Sequence, residues 1–233
     1  MLLKGVKVLA FDADDTLWSN EPLFREAERK VAEALSAFGD FEYISDELYK
    51  VEFKNMEDYG FGAKAYTLSM IENAVNLSGG KLTGEQIMLI IESGRNLLHN
   101  PATPLPGVKE TLEAIQKDGR YRLALLTKGE LYDQERKIRR SGLGTYFSHI
   151  DIVSKKSQDE YAALCSGMGI APEELMMVGN SFKSDIEPVL QLGGWGIHIP
   201  SETLWKLEHT EEYDHPHLFR VESFNDIRSI LLP

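Results

Sequence analysis

The chain has 233 residues, 42% hydrophobic and 27% charged, which fits a globular protein and neither a disordered chain nor a disulfide scaffold. Its formal net charge of -12, from 25 basic and 37 acidic residues, argues against general affinity for nucleic acid or an anionic membrane, although a local cluster of cations can still bind a phosphorylated metabolite. The lone cysteine, Cys165, cannot form an internal disulfide and reads as an inert core residue in a cytoplasmic protein; no apolar run has membrane-spanning length, and no signal peptide is expected.

The first predicted element is an apolar strand, Val6 to Phe11, which ends abruptly in Asp12, Asp14 and Asp15, followed by Thr16 and Leu17. A strand apolar on both faces belongs in a parallel sheet, and in open α/β sheets ligands bind at the carboxyl ends of the strands. Read alone, the acids make a solvated acidic turn; packed together, they demand a cation.

The pattern then becomes helical. Asn20 can cap a helix that closes at Gly39, and Ser45 a second one carrying Tyr49, Phe53 and Met56. Ala63 to Leu77 reads as a third helix, and the capping-box pattern Thr83-x-x-Gln86 opens a fourth with Ile87, Ile90, Ile91 and Leu98. Pro101, Pro104 and Pro106 form a stiff connector. Four helices without an interleaved strand suggest a separate helical lobe over 19–105. The glycine-rich, aromatic stretch Tyr59–Lys64 is its candidate substrate-facing loop, while Arg25, Lys54 and Lys64 read as solvated cations, one of which could contact a leaving group.

From Gly107 strands and helices alternate. Val108–Lys117 reads as helix, and Tyr121–Leu126 as a strand ending in Thr127-Lys128-Gly129. Glu130–Arg140 reads as helix, with the mixed charges of Glu135–Arg140 on an exposed face. His149–Val153 is a strand ending in Ser154-Lys155-Lys156, before the capping box Ser157-x-x-Glu160 and a helix through Met168. Leu175–Val178 ends in Gly179-Asn180-Ser181, followed by a helix from Lys183 to Leu190. Trp195–Ile199 and Leu218–Val221 are further strands, and Ser223 can cap a last helix to Leu231. The alternation predicts an α/β fold: a Rossmann-like three-layer α/β/α core over 1–18 and 106–233 with a mostly parallel sheet, plus the inserted helical domain.

In a parallel sheet the polar strand ends share one edge. That edge would bring together Asp12, Asp14, Thr127, Lys156, Asn180 and Asp185, the parts that metal-assisted phosphoryl transfer requires. Asp12 can attack phosphorus to form an aspartyl-phosphate, and Asp14 can protonate the leaving alkoxide and later deprotonate water. Mg²⁺ suits an all-oxygen site, Lys156 adds a positive charge, and Thr127 precedes a helix whose first amides favour phosphate.

These residues carry a resemblance. FDADDTLW resembles the DxDxT first motif of the haloacid dehalogenase-like hydrolase superfamily, LLTKG its second, the Lys155–Lys156 pair its third and GNSFKSDI its acidic fourth, in the expected order over nearly the whole chain. The resemblance implies Asp12 as nucleophile and Mg²⁺ ligand. It implies Asp14 as general acid/base, with its main-chain carbonyl on the metal, and Thr127 and Lys156 as phosphoryl-binding groups. Lys156 is preferred to Lys155 because it directly precedes the cap Ser157. Lys128 is a further candidate for substrate binding, and equally a surface lysine. Asn180 stands where many relatives have Asp, so Asp185 shares the expected metal role. The helical insert resembles the superfamily's C1-type cap.

Dehalogenases of the superfamily lack an acid at the Asp14 position and need no metal, so Asp14 favours phosphate ester hydrolysis. The expected activity is Mg²⁺-dependent hydrolysis of a small phosphorylated metabolite. The alternatives are a non-catalytic phospho-ligand binding protein, a metal-independent 2-haloacid dehalogenase and, further off, a phosphomutase. His198 reads as structural, and His209, His215 and His217 as a surface loop, since their spacing matches no zinc pattern.

Overall fold

The computed structural model describes residues 5–232. The chain divides into two compact units, one of residues up to Ser19 together with those from Ala102 onward, the other Asn20–Pro101. No helix among the described residues is long and apolar enough to cross a membrane.

The first unit is built on six strands: β1 (Val8–Phe11), β2 (Arg122–Lys128), β3 (His149–Val153), β4 (Leu175–Gly179), β5 (Trp195–His198) and β6 (Leu218–Arg220). They lie in the order β3-β2-β1-β4-β5-β6, and all five pairings are parallel. β1 is central, with Phe11 opposite Leu125 of β2 and Val178 of β4. Asp12 and Asn180, just past β1 and β4, and Thr127, next to last in β2, therefore lie on the same sheet edge.

Side chains alternate across a strand, so one strand feeds two cores. Leu9 and Phe11 face a cluster with Leu125, Val178, Leu112, Ile115, Ile138 and Ile227. Those last four residues lie on α5 (Val108–Asp118), α6 (Leu131–Ser141) and α9 (Ile227–Leu231). Val8 and Ala10 face a second cluster with Leu126, Met177, Tyr161, Leu164 and Val189, drawn partly from α7 (Gln158–Met168) and α8 (Glu187–Gln191). Helices on both sides of a parallel sheet make the predicted three-layer α/β/α core. Cys165 is buried within the second cluster, and burial pushes its thiol up, away from reactivity.

The second unit consists of α1 (Glu21–Ala34), α2 (Phe41–Tyr59), α3 (Ala63–Ser78) and α4 (Gly84–Leu97) around Val31, Leu35, Ile44, Leu48, Met70, Ala74 and Ile90. Two boundaries differ from the expectation. α1 stops at Ala34, several residues before Gly39, and α2 begins at Phe41, not after Ser45. Asp40 is the actual N-cap of α2, its carboxylate accepting from the Tyr43 amide at 2.9 Å, and Ser45 is buried inside the helix. The predicted capping box at Thr83 forms in full. In the first unit, the segment after Asn180 opens with a wide π-type turn over Phe182–Ile186 before α8, and the chain end is a 3-10 turn followed by α9.

Candidate active site

Asp12 leaves β1 with its amide donating to the Val178 carbonyl at 2.9 Å, which continues the sheet ladder for one more residue. The chain then doubles back. Leu17 donates to Ala13 O at 2.8 Å, Asp15 donates to Trp18 O at 2.7 Å, and Asp15 takes a left-handed φ of 62°. Asp is one of the few non-glycine residues that adopts this conformation at modest cost. Thr16 and Trp18 are buried by the turn, and Thr16 ties it to β4: its Oγ1 accepts from the Asn180 amide at 3.1 Å and donates to Asn180 Oδ1 at 3.2 Å.

Lys156 lies at the turn between β3 and α7, where the Ser157–Glu160 capping box forms. Its ammonium bridges Asp12 Oδ1 at 2.5 Å and Asp185 Oδ1 at 2.7 Å, and all three side chains are buried. Lys155 is exposed. Asp185 Oδ2 also accepts from the Ser181 amide at 3.0 Å. Gly179 allows this packing, because a Cβ there would lie 2.2 Å from Asp185 Oδ2.

Asp12 Oδ2 and Thr127 Oγ1 are buried here without a hydrogen-bond partner, as are Asp133 Oδ1, Gln134 Oε1 and His198 Nδ1 elsewhere among the described residues. Such atoms are costly unless a ligand satisfies them. Burial pushes the Asp12 carboxyl up to about 7, although Lys156 pulls it down; the negative charges of Asp185 and Asp14 add to the rise. A second cation would relieve that penalty.

Among the described residues, no three His, Cys, Asp or Glu side chains converge as a ready-made metal cage. The side-chain oxygen donors at this edge are the carboxylates of Asp12 and Asp185 and the amide of Asn180. That set fits Mg²⁺, which takes one or two carboxylates and completes its shell with waters and a substrate phosphate.

Asp14 faces another way. Its Oδ1 accepts from Trp18 Nε1 at 2.7 Å and Lys137 Nζ at 2.9 Å, and its Oδ2 from Gln134 Nε2 at 2.9 Å and Lys137 Nζ at 2.6 Å. Lys137 corrects the expectation of an exposed Glu135–Arg140 face: Glu135, Arg139 and Arg140 are exposed, but Lys137 and Ile138 are buried. Four residues beyond Asp133, Lys137 shares its helix face, and a complete helical-wheel reading would have put both with Gln134 and Ile138 on one side.

Lys128 has its ammonium on Glu208 Oε1 and 5.6 Å from the Trp205 ring centroid. Glu208 is absent from the site residues expected from sequence. Its Oε2 accepts from the Ser181 and Ser184 hydroxyls, each at 2.5 Å, so it ties the end of β2 to the turn after β4. No local pattern marks a glutamate in an irregular segment as buried. Burial opposes its ionisation, but Lys128 and the two hydroxyls outweigh that and hold it down at about 2.

A carboxyl whose folded pKa is depressed contributes stability that is complete above its unfolded pKa, near 4.5, and is lost as pH falls toward 2. Glu208→Gln is therefore expected to lower stability by on the order of 2–3 kcal/mol at pH 7. The gap between parent and variant should shrink as pH falls below about 4.5. Urea denaturation at pH 7 and pH 3.5 measures it; an equal gap at both would refute the assignment.

Of the remaining candidates, His198 is buried with Nε2 3.0 Å from the Asn180 carbonyl, and His217 stacks on Trp195 at 3.9 Å between ring centroids. The three-layer core and the cluster at the ends of β1 to β4 define a hydrolase of the haloacid dehalogenase-like class. A family profile described as haloacid dehalogenase-like hydrolase matches residues 6–193, and the chain belongs to that family.

A solved haloacid dehalogenase-like family hydrolase from Xanthomonas campestris superposes with a TM-score of 0.87 at 36% identity, over 98% of this chain and 92% of its own. The glyceraldehyde 3-phosphate phosphatase of Pyrococcus furiosus is 26% identical over 82% of this chain and 79% of its own length. The human N-acylneuraminate-9-phosphatase is 25% identical over 83% and 82%.

Proposed function

We propose that the chain, a phosphatase of the haloacid dehalogenase-like class, hydrolyses small phosphate monoesters through an aspartyl-phosphate on Asp12, with Mg²⁺ as cofactor. The observation that carries this reading is the buried Asp12 carboxylate, one oxygen held by Lys156 and the other without a partner, with a second acid two residues on.

In the first half-reaction, the free Asp12 oxygen attacks phosphorus as the ester P–O bond breaks, and Asp14 supplies a proton to the departing alkoxide. In the second, Asp14 takes a proton from water, which attacks the acyl-phosphate and frees Asp12 and inorganic phosphate. Lys156 and the Thr127 hydroxyl bind the phosphoryl oxygens and spread their charge. Asp12, Asp185, Asn180 and the Asp14 carbonyl would hold Mg²⁺, whose chemistry is neutralisation of phosphoryl charge. A halide leaves without a proton, so Asp14 disfavours a dehalogenase.

The phosphatases among the relatives support a small phosphorylated metabolite as substrate. The lone buried Cys165 suits a cytoplasmic setting. Purified protein should hydrolyse p-nitrophenyl phosphate with Mg²⁺ and lose that activity with excess chelator, regaining it on Mg²⁺ addition. Full turnover in chelator, or tight phosphate-ester binding without turnover across a broad panel, would contradict the proposal.

A further inference from the structure

Burial is inverted over the N-terminal part of α6, although Ile138 still faces the core. Leu131 and Tyr132 are 60% and 59% exposed, whereas Asp133, Gln134 and Lys137 are buried, Lys137 to 4%. Packing alone would select the reverse arrangement, since a lysine is almost never fully buried without a partner. All of Asp14's contacts given above come from Trp18 and from this inverted face.

Gln134 does more than touch Asp14. The same Nε2 donates to the Lys128 carbonyl at 2.8 Å, so one side chain links Asp14 to the turn that follows Thr127. Gly129 makes room for it: a Cβ there would lie 2.7 Å from Gln134 Nε2. Lys137 is in turn steadied by Asp133, 3.8 Å away on the same helix face.

We infer that Gln134 and Lys137 are positioning residues for Asp14, fixing its carboxyl group beside the turn that follows Thr127. This rests on the reading of Asp14 as the acid that protonates the leaving group. An aspartate side chain turns freely about two bonds. Two anchored donors on one rigid helix, with Trp18 as a third, restrict it to a single pose before substrate arrives, and such restriction is a large part of general acid efficiency.

Dependence on the leaving group separates this role from general damage. An alkoxide needs a proton to leave, and p-nitrophenolate does not. kcat/KM, which covers the steps through phosphoryl transfer to Asp12, should be measured with glycerol phosphate and with p-nitrophenyl phosphate. Parent, Asp14→Asn, Lys137→Met, Lys137→Arg and Gln134→Leu should be compared, with melting temperatures for each.

Lys137→Met is expected to lose on the order of 100-fold on the alkyl ester and less than about tenfold on the aryl ester. Asp14→Asn should show the same selectivity, Gln134→Leu a smaller version of it, and Lys137→Arg a partial rescue. If Asp14→Asn is selective but the Lys137 and Gln134 variants lose equally on both esters, or lose nothing, the positioning role is wrong. If Asp14→Asn itself is unselective, the acid assignment fails and the inference falls with it. Should Lys137→Met fail to fold, Gln134→Leu decides by the same ratio.

Discussion

Asp12→Asn is expected to lower kcat by on the order of 10⁴-fold or more and to leave the protein at least as stable as its parent. The two halves of this expectation have different causes. The amide keeps the shape of the side chain but lacks the electron pair and charge that attack phosphorus. It also removes a buried charge: burial already pushes the Asp12 carboxyl up to about 7, so a neutral isostere is spared that desolvation. Lys156 keeps Asp185 as its counter-ion at 2.7 Å. Steady-state kinetics with p-nitrophenyl phosphate and a thermal melt test both halves. Turnover within tenfold of the parent would remove Asp12 from the chemistry, and a large fall in melting temperature would mean that its ion pair is chiefly structural.

Lys156→Met is expected to damage activity and fold together. Methionine fits the space, but it leaves Asp12 and Asp185 buried side by side without a cation. Removing one partner of a buried charge group costs about 3–5 kcal/mol. Burial alone would drive the Lys156 ammonium toward neutrality; Asp12 and Asp185 outweigh it and raise its pKa, so the lysine stays charged at any pH the enzyme meets. Urea denaturation of the variant at neutral pH should therefore show the largest loss of stability among the variants considered. Mg²⁺ should restore part of it by supplying the missing positive charge. A variant as stable as the parent in chelator would show that the two carboxylates do not depend on Lys156. Lys155→Met, on an exposed side chain, should change stability by less than about 0.5 kcal/mol.

How much of this was visible in the chain depended on whether the signal was local. The strand at Val8–Phe11 is legible because a short apolar run of that length buries both faces, and the alternation of such runs with helices implies a parallel sheet. The abrupt change to polar residues after each run marked the edge where Asp12, Thr127, Lys156 and Asn180 emerge. The start of α2 is not decided locally, because Asp40 and Ser45 are both competent caps and local preference does not rank them. The buried face of α6 is hidden in the sequence because its charges look like those of a solvated helix, and burial of Lys137 depends on Asp14, 123 positions away.

The sequence by itself determined the class of protein: the order of elements, the helical insert between the first two strands, and which residue types stand at each strand end. Those follow from periodicity and chemistry within a few residues of one another. Only the tertiary structure decided which of those side chains meet. It closed Lys156 on Asp12 and Asp185, turned Asp14 toward Gln134 and Lys137, and drew Glu208 in to join Lys128 with Ser181 and Ser184. Long-range pairings of buried charges carry no periodic signature, because each exists only once the sheet has brought distant strand ends together and excluded the water that would otherwise solvate them.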